Sequence, residues 1–397
     1  MEQHTEEAGE KMKKRIGEKM KKKKDVVFFL INSLEMGGAE RVISELEPFL
    51  SKRYDFRILT LRESEKASSI KVGQKPKALL RTHSDVAMLL LWPLAVLRLK
   101  SIIRKENPLR VVSFLELSNF ANLAAHRKGE AIISFRTSFS FFHGIKGAVY
   151  KLLIRLFYRR AKLIVFNSSE NKVLTLRKFG LRKAKGSVAR NPFNVSRIRS
   201  LAAKPLSASE KKMLAGKKVF LSMGRLNNEK NWDSLIKAFR HAVARDKRNV
   251  LVILGQGIQM DALKDLADHE GLKDNVFLLG RKDNVYPYLR RADYFIFNSP
   301  AEGFPNALIE AAACGLPIIT NDFRTGAREL IDPRLDFGKR IRYPRFGPNG
   351  VLLSSRNYAS DLKMALEKTN FIKQGKYGLE HFEIKKVVSR WIDIIES

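Results

Sequence analysis

The amino-acid sequence predicts an α/β protein made of two doubly wound, Rossmann-like domains that face each other across a cleft. From Asp25 onward, short apolar runs alternate with amphipathic stretches, which is the pattern of strand and helix units with parallel sheets. The same series starts afresh after Phe193, and the length of 397 residues suits two or three domains. Since no motif recurs at a period of about 20 to 50 residues, solenoids and propellers are excluded.

The first domain is predicted to span residues 25–192 and to open with a strand, a glycine turn and a helix. The strand Val26–Ile31 leads into Gly37 and Gly38, after which apolar residues recur at helical spacing. Pro192 disfavours a helical conformation at Asn191, so we expect the domain to end there. Further buried strands are predicted at Arg57–Leu61, Arg110–Phe114, Ala131–Ser134 and Leu163–Asn167.

The second domain is predicted to span residues 193–372, with the helix Trp232–Ala244 after its first strand. Residues 373–397 are expected to form a helix that packs back on the first domain. Ligands of doubly wound sheets bind at the carboxyl ends of the strands, where glycine turns open helices. The strands of this domain are predicted at Lys218–Met223, Val250–Leu254, Val276–Leu279, Tyr294–Asn298 and Leu316–Thr320.

The chain is strongly basic, and the excess is concentrated in its first half. It holds 75 Lys and Arg against 41 Asp and Glu, which gives a formal net charge of +34. Residues 26–200 contain 33 basic and 12 acidic residues, whereas residues 201–397 contain 33 and 23. A balance of this size favours an anionic partner.

The cysteine count and the apolar runs exclude several classes of protein. The single cysteine excludes a disulfide framework and multi-cysteine metal sites, and it fits a reducing cytoplasm. The basic N-terminal tail, residues 1–24, has no apolar core, so we expect neither a signal peptide nor a membrane anchor. Its segment Lys11–Lys24 is either a solvated tail or a weak amphipathic helix that touches an anionic membrane. The longest apolar stretch, Val86–Leu97, is too short to cross a bilayer of about 30 Å as a helix.

Two glutamates in the second domain carry the clearest chemical signal. Glu302 lies on a predicted loop after a strand, and Glu310 lies eight residues later in a helix that is predicted to begin near Asn306. The backbone amides of a helix N-terminus bind phosphate readily. A carboxylate deeper in the helix suits the recognition of hydroxyl groups, because it only accepts hydrogen bonds and can take two at once. The segment therefore indicates a ligand that carries a phosphate and neighbouring hydroxyls.

Together with four other blocks, this segment resembles glycosyltransferase family 4, the retaining, nucleotide-sugar-dependent enzymes of the GT-B fold. The signature of that family is a pair of glutamates separated by seven residues, as Glu302 and Glu310 are here. The similarity runs from about Val26 to the end of the chain. The other matching blocks are Gly37-Gly38-Ala39-Glu40-Arg41, Asn191-Pro192, Gly224-Arg225-Leu226 with Lys230-Asn231, and Gly280 with Asn284-Val285 and Ala292-Asp293.

The resemblance implies a role for each residue of a nucleotide-sugar donor site. Glu310 would hold the ribose hydroxyls, and Glu302 would contact the transferred sugar. Arg225 and Lys230 would face the diphosphate. A departing nucleoside diphosphate gains negative charge in the transition state, so preplaced cations and amides favour that state. The other donor-site residues implied are Gly224, Arg281, Gly303, Phe304, Pro305, Asn306, Ala307 and Leu308, where residues 304–308 would offer backbone amides and base contacts would come from backbone near Arg281.

No metal and no cofactor are expected at this site. The sequence contains no Asp-x-Asp triplet, so a carboxylate-bound divalent ion has no evident position, and Arg225 with Lys230 would replace it. Retention of configuration is implied by the family alone. The favoured mechanism is attack on the same face of the sugar, with the leaving phosphate helping to take the proton of the acceptor.

In the first domain, four residues are candidates for the acceptor side of the cleft. Gly37 and Gly38 let the backbone approach the cleft closely, although an ordinary tight turn would also use them. Arg136 follows a strand at a position where many members of the family carry a histidine and others an arginine, and its role stays open. His143 lies nearby, but a lone histidine is more often structural.

A basic face is predicted on the helix that begins near Tyr150. Residues 146–200 contain 15 basic residues and one acidic residue. This resembles the face by which such enzymes sit on anionic membranes to reach lipid-linked acceptors, and the alternative is a core helix with a solvated basic side.

The function predicted from the sequence is the transfer of a hexosyl or N-acetylhexosaminyl group from a nucleotide sugar, with UDP as the favoured nucleotide. The acceptor would be a lipid-linked or cell-envelope glycan at the cytoplasmic membrane face. The alternatives are a basic nucleic-acid-binding protein and a GT-B nucleotide-sugar epimerase. Against the first, charge alone gives only nonspecific attraction, and the sequence has no recognisable nucleic-acid module, so no specific nucleic acid is expected.

Overall fold

The structure is a computed structural model that describes residues 24–35, 37–64, 70–137, 144–300, 302–368 and 375–397. Within these ranges the chain forms two seven-stranded sheets with helices packed on both faces. The predicted α/β class with two doubly wound sheets is confirmed.

Seven parallel strands form the first sheet. They are β1 (Val26–Ile31), β2 (Asp55–Thr60), β3 (Lys77–Ala78), β4 (Arg110–Phe114), β5 (Ile132–Phe135), β6 (Leu163–Phe166) and β7 (Gly186–Val188). The helices between them are α1 (Gly38–Arg53), α2 (Asp85–Leu90), α3 (Trp92–Glu106), α4 (Glu116–Ala125), α5 (Gly144–Phe157) and α6 (Ser169–Lys178). The spatial order is β3-β2-β1-β4-β5-β6-β7. Phe28 and Phe29 of β1 are buried on opposite faces, as a parallel sheet covered on both sides requires.

The second sheet repeats this plan with one antiparallel strand at its edge. Its strands are β8 (Lys218–Met223), β9 (Asn249–Leu254), β10 (Val276–Leu278), β11 (Tyr294–Phe297), β12 (Ile318–Asn321), β13 (Arg345–Gly347) and β14 (Gly350–Leu353). Its helices are α7 (Val195–Ala202), α8 (Ala208–Leu214), α9 (Trp232–Arg245), α10 (Met260–His269), α11 (Tyr286–Arg291), α12 (Asn306–Ala313), α13 (Ala327–Ile331) and α14 (Tyr358–Glu367). The order is β10-β9-β8-β11-β12-β14-β13, and β13 runs antiparallel to β14.

The chain passes between the two sheets at Phe193 and returns near Glu383, and the two crossings pair with each other. The amide of Phe193 donates to the carbonyl of Phe382 at 2.8 Å, and the amide of Ile384 donates to the carbonyl of Phe193 at 2.9 Å. The domains are therefore joined by two chain crossings that lie side by side.

The last helix, α15 (Ile384–Glu396), packs on the first sheet after the return crossing. Trp391 is fully buried there, and its ring centroid lies 5.6 Å from the rings of both Phe29 and Phe114. The helix is strongly amphipathic, with apolar residues at the spacing that one helical face needs. The end of the chain therefore belongs to the core of the first domain.

Strands with continuous apolar runs lie where the sequence predicts them. Val26–Ile31, Arg110–Phe114 and Lys218–Met223 have the predicted bounds, and the other predicted strands shift by one or two residues. Four strands were not predicted, namely β3, β7, β13 and β14. The first three have two or three residues and lie at sheet edges, and β14 opens with Gly350 at φ 154°, so none of the four shows a long apolar run.

Candidate active site

A cavity of about 520 Å³ lies between the two sheets. Both domains line it, and Gly37 and Gly38 reach it from the first domain at the start of α1. The remaining lining residues are Arg41, Ile70, Met223, Gly224, Arg225, Lys230, Phe297, Glu302, Phe304, Pro305, Asn306 and Ala307. The cavity therefore gathers most of the residues that the sequence assigns to the donor site.

The loop after β8 places Arg225 at the cavity, and its backbone at Gly224 packs directly against the backbone at Gly255. A Cβ atom on Gly255 would lie 1.8 Å from the carbonyl oxygen of Gly224, and the φ of Gly255 is 157°. Only glycine permits this approach and this backbone conformation together. The carbonyl of Arg225 accepts a hydrogen bond from the indole of Trp232 at 3.0 Å, so the exposed Arg225 side chain is attached to a fixed backbone.

Lys230 and Glu302 form an ion pair across the cavity wall, and both side chains are about four-fifths buried. The ammonium of Lys230 also lies 5.7 Å from the centroid of the Phe297 ring, where a cation is attracted to the aromatic face. The ordered pair fixes the direction of both side chains. The cation predicted to face the diphosphate and the carboxylate predicted to face the sugar are therefore direct neighbours.

The loop after β12 supports Glu302 from behind. Thr325 donates its hydroxyl proton to the carbonyl oxygen of Glu302 at 2.7 Å, and Ser168 of the first domain donates to the carbonyl of Thr325 at 2.7 Å. The amide of Gly326 donates to the buried Glu170 carboxylate at 2.9 Å, and burial raises the pKa of Glu170 to about 8. A chain of hydrogen bonds thus links the Glu302 loop to the first domain.

Glu310 lies one turn inside α12, and its side chain is 10% exposed. Its Oε1 accepts from the Arg41 guanidinium at 3.0 Å, and Tyr286 Oη lies 3.5 Å away. Burial raises the pKa of Glu310, and Arg41 opposes that shift. Arg41 belongs to the first domain, so this ion pair bridges the cleft.

The N-terminus of α12 faces the cavity with residues 304–307. Glycine is required just before it, because a Cβ atom on Gly303 would lie 2.0 Å from the carbonyl oxygen of Arg136. Leu308 differs from its neighbours, since its amide donates to the carbonyl of Pro305 at 3.2 Å and its side chain is fully buried. We therefore remove Leu308 from the predicted set of phosphate-binding amides.

The guanidinium of Arg136 points into the interior of the first domain. Its backbone carbonyl oxygen packs against Gly303. The guanidinium donates to Ser134 Oγ at 2.9 Å and to Asn191 Oδ1 at 2.7 Å. Burial lowers the pKa of Arg136 to about 9, so the group stays charged at neutral pH. Asn191 in turn donates to Asn306 Oδ1 at 2.6 Å. Arg136 is thus connected to the start of α12 through one side chain.

Of the remaining predicted site residues, one lies away from the cavity and one is not described. Arg281 is exposed after β10 and does not line the cavity. His143 lies outside the described residues. In the described parts of the chain, no group of three or more His, Cys, Asp and Glu side chains is arranged to hold a metal ion.

The contacts of Arg41 and Tyr286 with Glu310 were not predicted. Arg41 appeared only as the last residue of the first matching block, and its partner is 269 positions away in the sequence. Tyr286 belongs to none of the blocks that match the family. Burial and the nearby Glu310 raise the pKa of this phenol to about 12, so it is a neutral donor at physiological pH.

Two family models match the chain in succession. Residues 36–197 match the model described as Glycosyltransferase Family 4, and residues 207–340 match the one described as Glycosyl transferases group 1. The N-acetylgalactosamine-N,N'-diacetylbacillosaminyl-diphospho-undecaprenol 4-alpha-N-acetylgalactosaminyltransferase of Campylobacter jejuni is 30% identical over 313 residues, which cover 76% of this chain and 81% of that one. The chain belongs to glycosyltransferase family 4. The family predicted from the glutamate pair is confirmed, and the protein is a glycosyltransferase.

Other comparisons agree with this membership. A second Campylobacter jejuni protein, an alpha-1,4-N-acetyl-D-galactosaminyltransferase acting on a GalNAc-containing undecaprenol diphosphate, is 26% identical, with 93% of this chain and 98% of that one covered. The structure of Anabaena HepE in complex with UDP superposes with a TM-score of 0.66 at 17% identity, covering 93% of this glycosyltransferase and 99% of HepE. That likeness shows the GT-B fold.

Proposed function

We propose that this glycosyltransferase moves an N-acetylhexosamine from a UDP-sugar to a lipid-linked glycan acceptor, with retention of configuration. The observation that carries the proposal is the convergence of Glu302, Arg225, Lys230 and the N-terminus of α12 on one cavity between the domains, with Glu310 paired to Arg41 in the wall of that cavity. The lipid-linked acceptor and the N-acetylhexosamine are suggested by the two Campylobacter relatives. UDP is the first nucleotide to test because HepE has been captured with it.

In this proposal the donor lies along α12. The ribose hydroxyls donate to the Glu310 carboxylate, and the diphosphate lies at the amides of residues 304–307, where the helix dipole favours negative charge. Glu302 accepts from hydroxyls of the sugar, and Lys230 holds Glu302 in place. Arg225 enters the same cavity from the opposite loop and faces the diphosphate.

The proposed reaction breaks the bond between the anomeric carbon and the phosphate oxygen and forms a bond to the acceptor oxygen on the same face. The acceptor proton passes to an oxygen of the leaving phosphate. Arg225, Lys230 and the helix amides stabilise the charge that grows on the diphosphate, and this preorganised field lowers the barrier. No carboxylate of the chain needs to act as a nucleophile in this scheme.

An exposed apolar and basic surface on the first domain supports the proposal of a lipid-linked acceptor. On α5, Val149, Leu152 and Leu156 are each more than half exposed, and Arg155 and Arg159 lie beside them. The helices α2 and α3 add exposed apolar residues, and a patch of this extent is unusual for a surface that meets only water. The members from α2, α3 and the turn between them are Val86, Leu89, Leu90, Leu91, Leu94 and Leu97. We call these nine apolar residues with Arg155 and Arg159 the apolar-basic surface.

One tryptophan connects the two halves of this surface. Trp92, at the start of α3, packs with the cluster that contains Tyr150 and Leu153 of α5, and its indole donates to the carbonyl of Leu117 at 3.2 Å. The apolar-basic surface therefore lies on one side of the first domain. In the described part of the chain, no helix is long and apolar enough to span a bilayer. We propose that the surface lies on the membrane, with apolar side chains in the interface and arginines at anionic headgroups.

Liposome binding tests this membrane contact. The protein should sediment with anionic vesicles and not with neutral ones. Each basic side chain near an anionic membrane contributes about 1 kcal/mol of binding free energy. Salt should release it, because exposed charges are screened within about 10 Å at 0.1 M. Changing Arg155, Arg159 and Arg160 to Glu should reduce sedimentation and transfer to a membrane-embedded acceptor, and leave nucleotide binding unaltered.

A matched control makes the same change of charge in the second domain. Arg248, Lys264 and Lys273 are exposed there, and reversing these three to Glu should leave sedimentation nearly unchanged. Equal binding of the wild-type protein to neutral and anionic vesicles would contradict the membrane contact. Tight, salt-resistant binding to a particular RNA would favour the nucleic-acid alternative.

The variant Glu310→Ala tests the donor site. It should weaken UDP binding by about 1–3 kcal/mol in calorimetric titration, because two ribose hydroxyls lose their acceptor. The control variant Glu380→Ala removes an exposed carboxylate and should leave UDP binding unchanged. Unchanged affinity in Glu310→Ala would mean that Glu310 only pairs the two domains through Arg41.

The activity itself is tested by incubating the purified protein with a panel of nucleotide sugars and membrane extract. Release of UDP from UDP-N-acetylhexosamine, dependent on the extract, is the expected result. Analysis of the product linkage then distinguishes retention from inversion. Interconversion of the nucleotide sugar without an acceptor would indicate the epimerase alternative instead.

A further inference from the structure

We propose that Arg41 is a donor-binding residue contributed by the first domain, which exchanges its partner Glu310 for the diphosphate when the nucleotide binds. The inference rests on the proposed donor site and names one more residue of it. It would make nucleotide binding depend on both domains, although the predicted donor residues all lie in the second.

The geometry puts Arg41 and the ribose in competition for one carboxylate. Arg41 Nη1 lies 3.0 Å from Glu310 Oε1, and the Tyr286 hydroxyl points to the same oxygen at 3.5 Å. Arg41 and Tyr286 together take both lone pairs of Glu310 Oε1, so a ribose hydroxyl that binds this oxygen has to displace one of them. Ribose binding at Glu310 therefore weakens or breaks the contact with Arg41.

Arg41 is able to move, and the cavity offers it another partner. Its side chain is 37% exposed, whereas the side chain of Glu310 is 10% exposed, so the arginine is the less enclosed member of the pair and has room to reorient. Arg41 lines the same cavity as Arg225 and Lys230, and its guanidinium lies 5.4 Å from the centroid of the Phe193 ring. The aromatic face can support the planar group in more than one position along the cleft.

The charges of the site favour the same exchange. A guanidinium has donors only and stays protonated, so it needs an acceptor wherever it lies. When the ribose takes Glu310, the diphosphate at the start of α12 is the anion within the same cavity. A guanidinium can donate two parallel hydrogen bonds to two oxygens of a diphosphate. In the present contact it donates to only one oxygen of Glu310.

This exchange predicts opposite effects of one substitution on two ligands. In Arg41→Gln, uridine should bind about 2- to 5-fold more tightly, because the arginine that competes for Glu310 is gone. UDP should bind about 10- to 100-fold more weakly, because a charge-assisted hydrogen bond to the diphosphate is lost. A residue that only held the domains together would change both ligands in the same direction.

The experiment compares wild type, Arg41→Gln and Arg41→Lys with UDP by calorimetry and with uridine by ligand-observed NMR. Arg41→Lys keeps the charge and should recover part of the UDP affinity. The control Arg248→Gln removes an arginine that is also paired with a carboxylate, Asp246, but lies on the exposed side of the second domain. It should change neither affinity.

Opposite shifts for uridine and UDP support the exchange. Parallel shifts, or no shift, in a variant that melts like the wild type overturn it while leaving the proposed donor site intact. A variant that fails to fold is replaced by Arg41→Lys, which must then weaken UDP more than uridine. If the wild-type protein binds neither UDP nor uridine, the proposed donor site and the exchange are both overturned.

Discussion

Replacing Arg225 and Lys230 together by alanine is expected to lower turnover by about 100- to 1,000-fold or more while shifting the melting temperature little. Loss of one preorganised group that stabilises transition-state charge costs about 100- to 1,000-fold, and here two cations are removed. Arg225 is exposed, and Lys230 makes one ion pair and one contact with the Phe297 ring at the cavity wall, so we expect turnover to fall far more than stability.

The structure adds one complication to this experiment and a way to remove it. Alanine at position 230 leaves Glu302 without its cation, and the uncompensated carboxylate would itself repel a diphosphate. Comparing the double variant Lys230→Ala with Glu302→Gln against Glu302→Gln alone separates the two effects. If loss of the cation limits turnover, the double variant is slower than Glu302→Gln alone. If repulsion by Glu302 is the cause, the two variants turn over at the same rate.

Controls for the cation pair come from the exposed face of the second domain. Arg248 and Lys264 carry the same charges and also pair with carboxylates. Their double alanine variant should keep normal turnover. Normal activity per folded molecule in the Arg225 and Lys230 variant, together with a collapse of its melting temperature, would show that these cations are structural.

The fold was largely predictable from the sequence because the buried strands of parallel sheets are short and continuously apolar. Val26–Ile31 and Lys218–Met223 stand out for that reason, and the glycines after them mark the ends of the strands that face the cleft. The strands β3 and β7 have too few residues to form such a run, and pairing at the sheet edge determines them.

The site was predictable residue by residue within each domain but not between them. Glu302 and Glu310 share one loop and helix, so their spacing already indicates their proximity. The contact of Arg41 with Glu310 depends on how the two sheets face each other, which no local pattern records. The direction of the Arg136 guanidinium could not be predicted either, because the side chain of a residue after a strand can point to the cleft or to the core.

Arg136 gives the largest expected effect on stability. The variant Arg136→Ala should lower the free energy of unfolding by about 3–5 kcal/mol, because buried partners are left without a donor at about 1–3 kcal/mol each. Those partners are Ser134 Oγ, Asn191 Oδ1 and the carbonyl of Ala189. The guanidinium also lies 5.4 Å and 5.9 Å from the ring centroids of Phe114 and Trp391, so its removal opens a space in the core.

The same variant should affect catalysis through Asn191. This side chain accepts from Arg136 and donates to Asn306, so losing the arginine frees it to rotate away from the start of α12. Activity of Arg136→Ala should fall more than the loss of folded protein explains. The variant Arg136→Lys should recover part of the stability, although a lysine cannot donate the two hydrogen bonds in the geometry of the guanidinium. The control Arg127→Ala changes an exposed arginine of the same domain and should unfold like the wild type. Urea denaturation measures the difference in stability, and equal midpoints for Arg136→Ala and Arg127→Ala would contradict the stabilising role of the buried guanidinium. Normal activity per folded molecule in Arg136→Ala would contradict its link to the cleft.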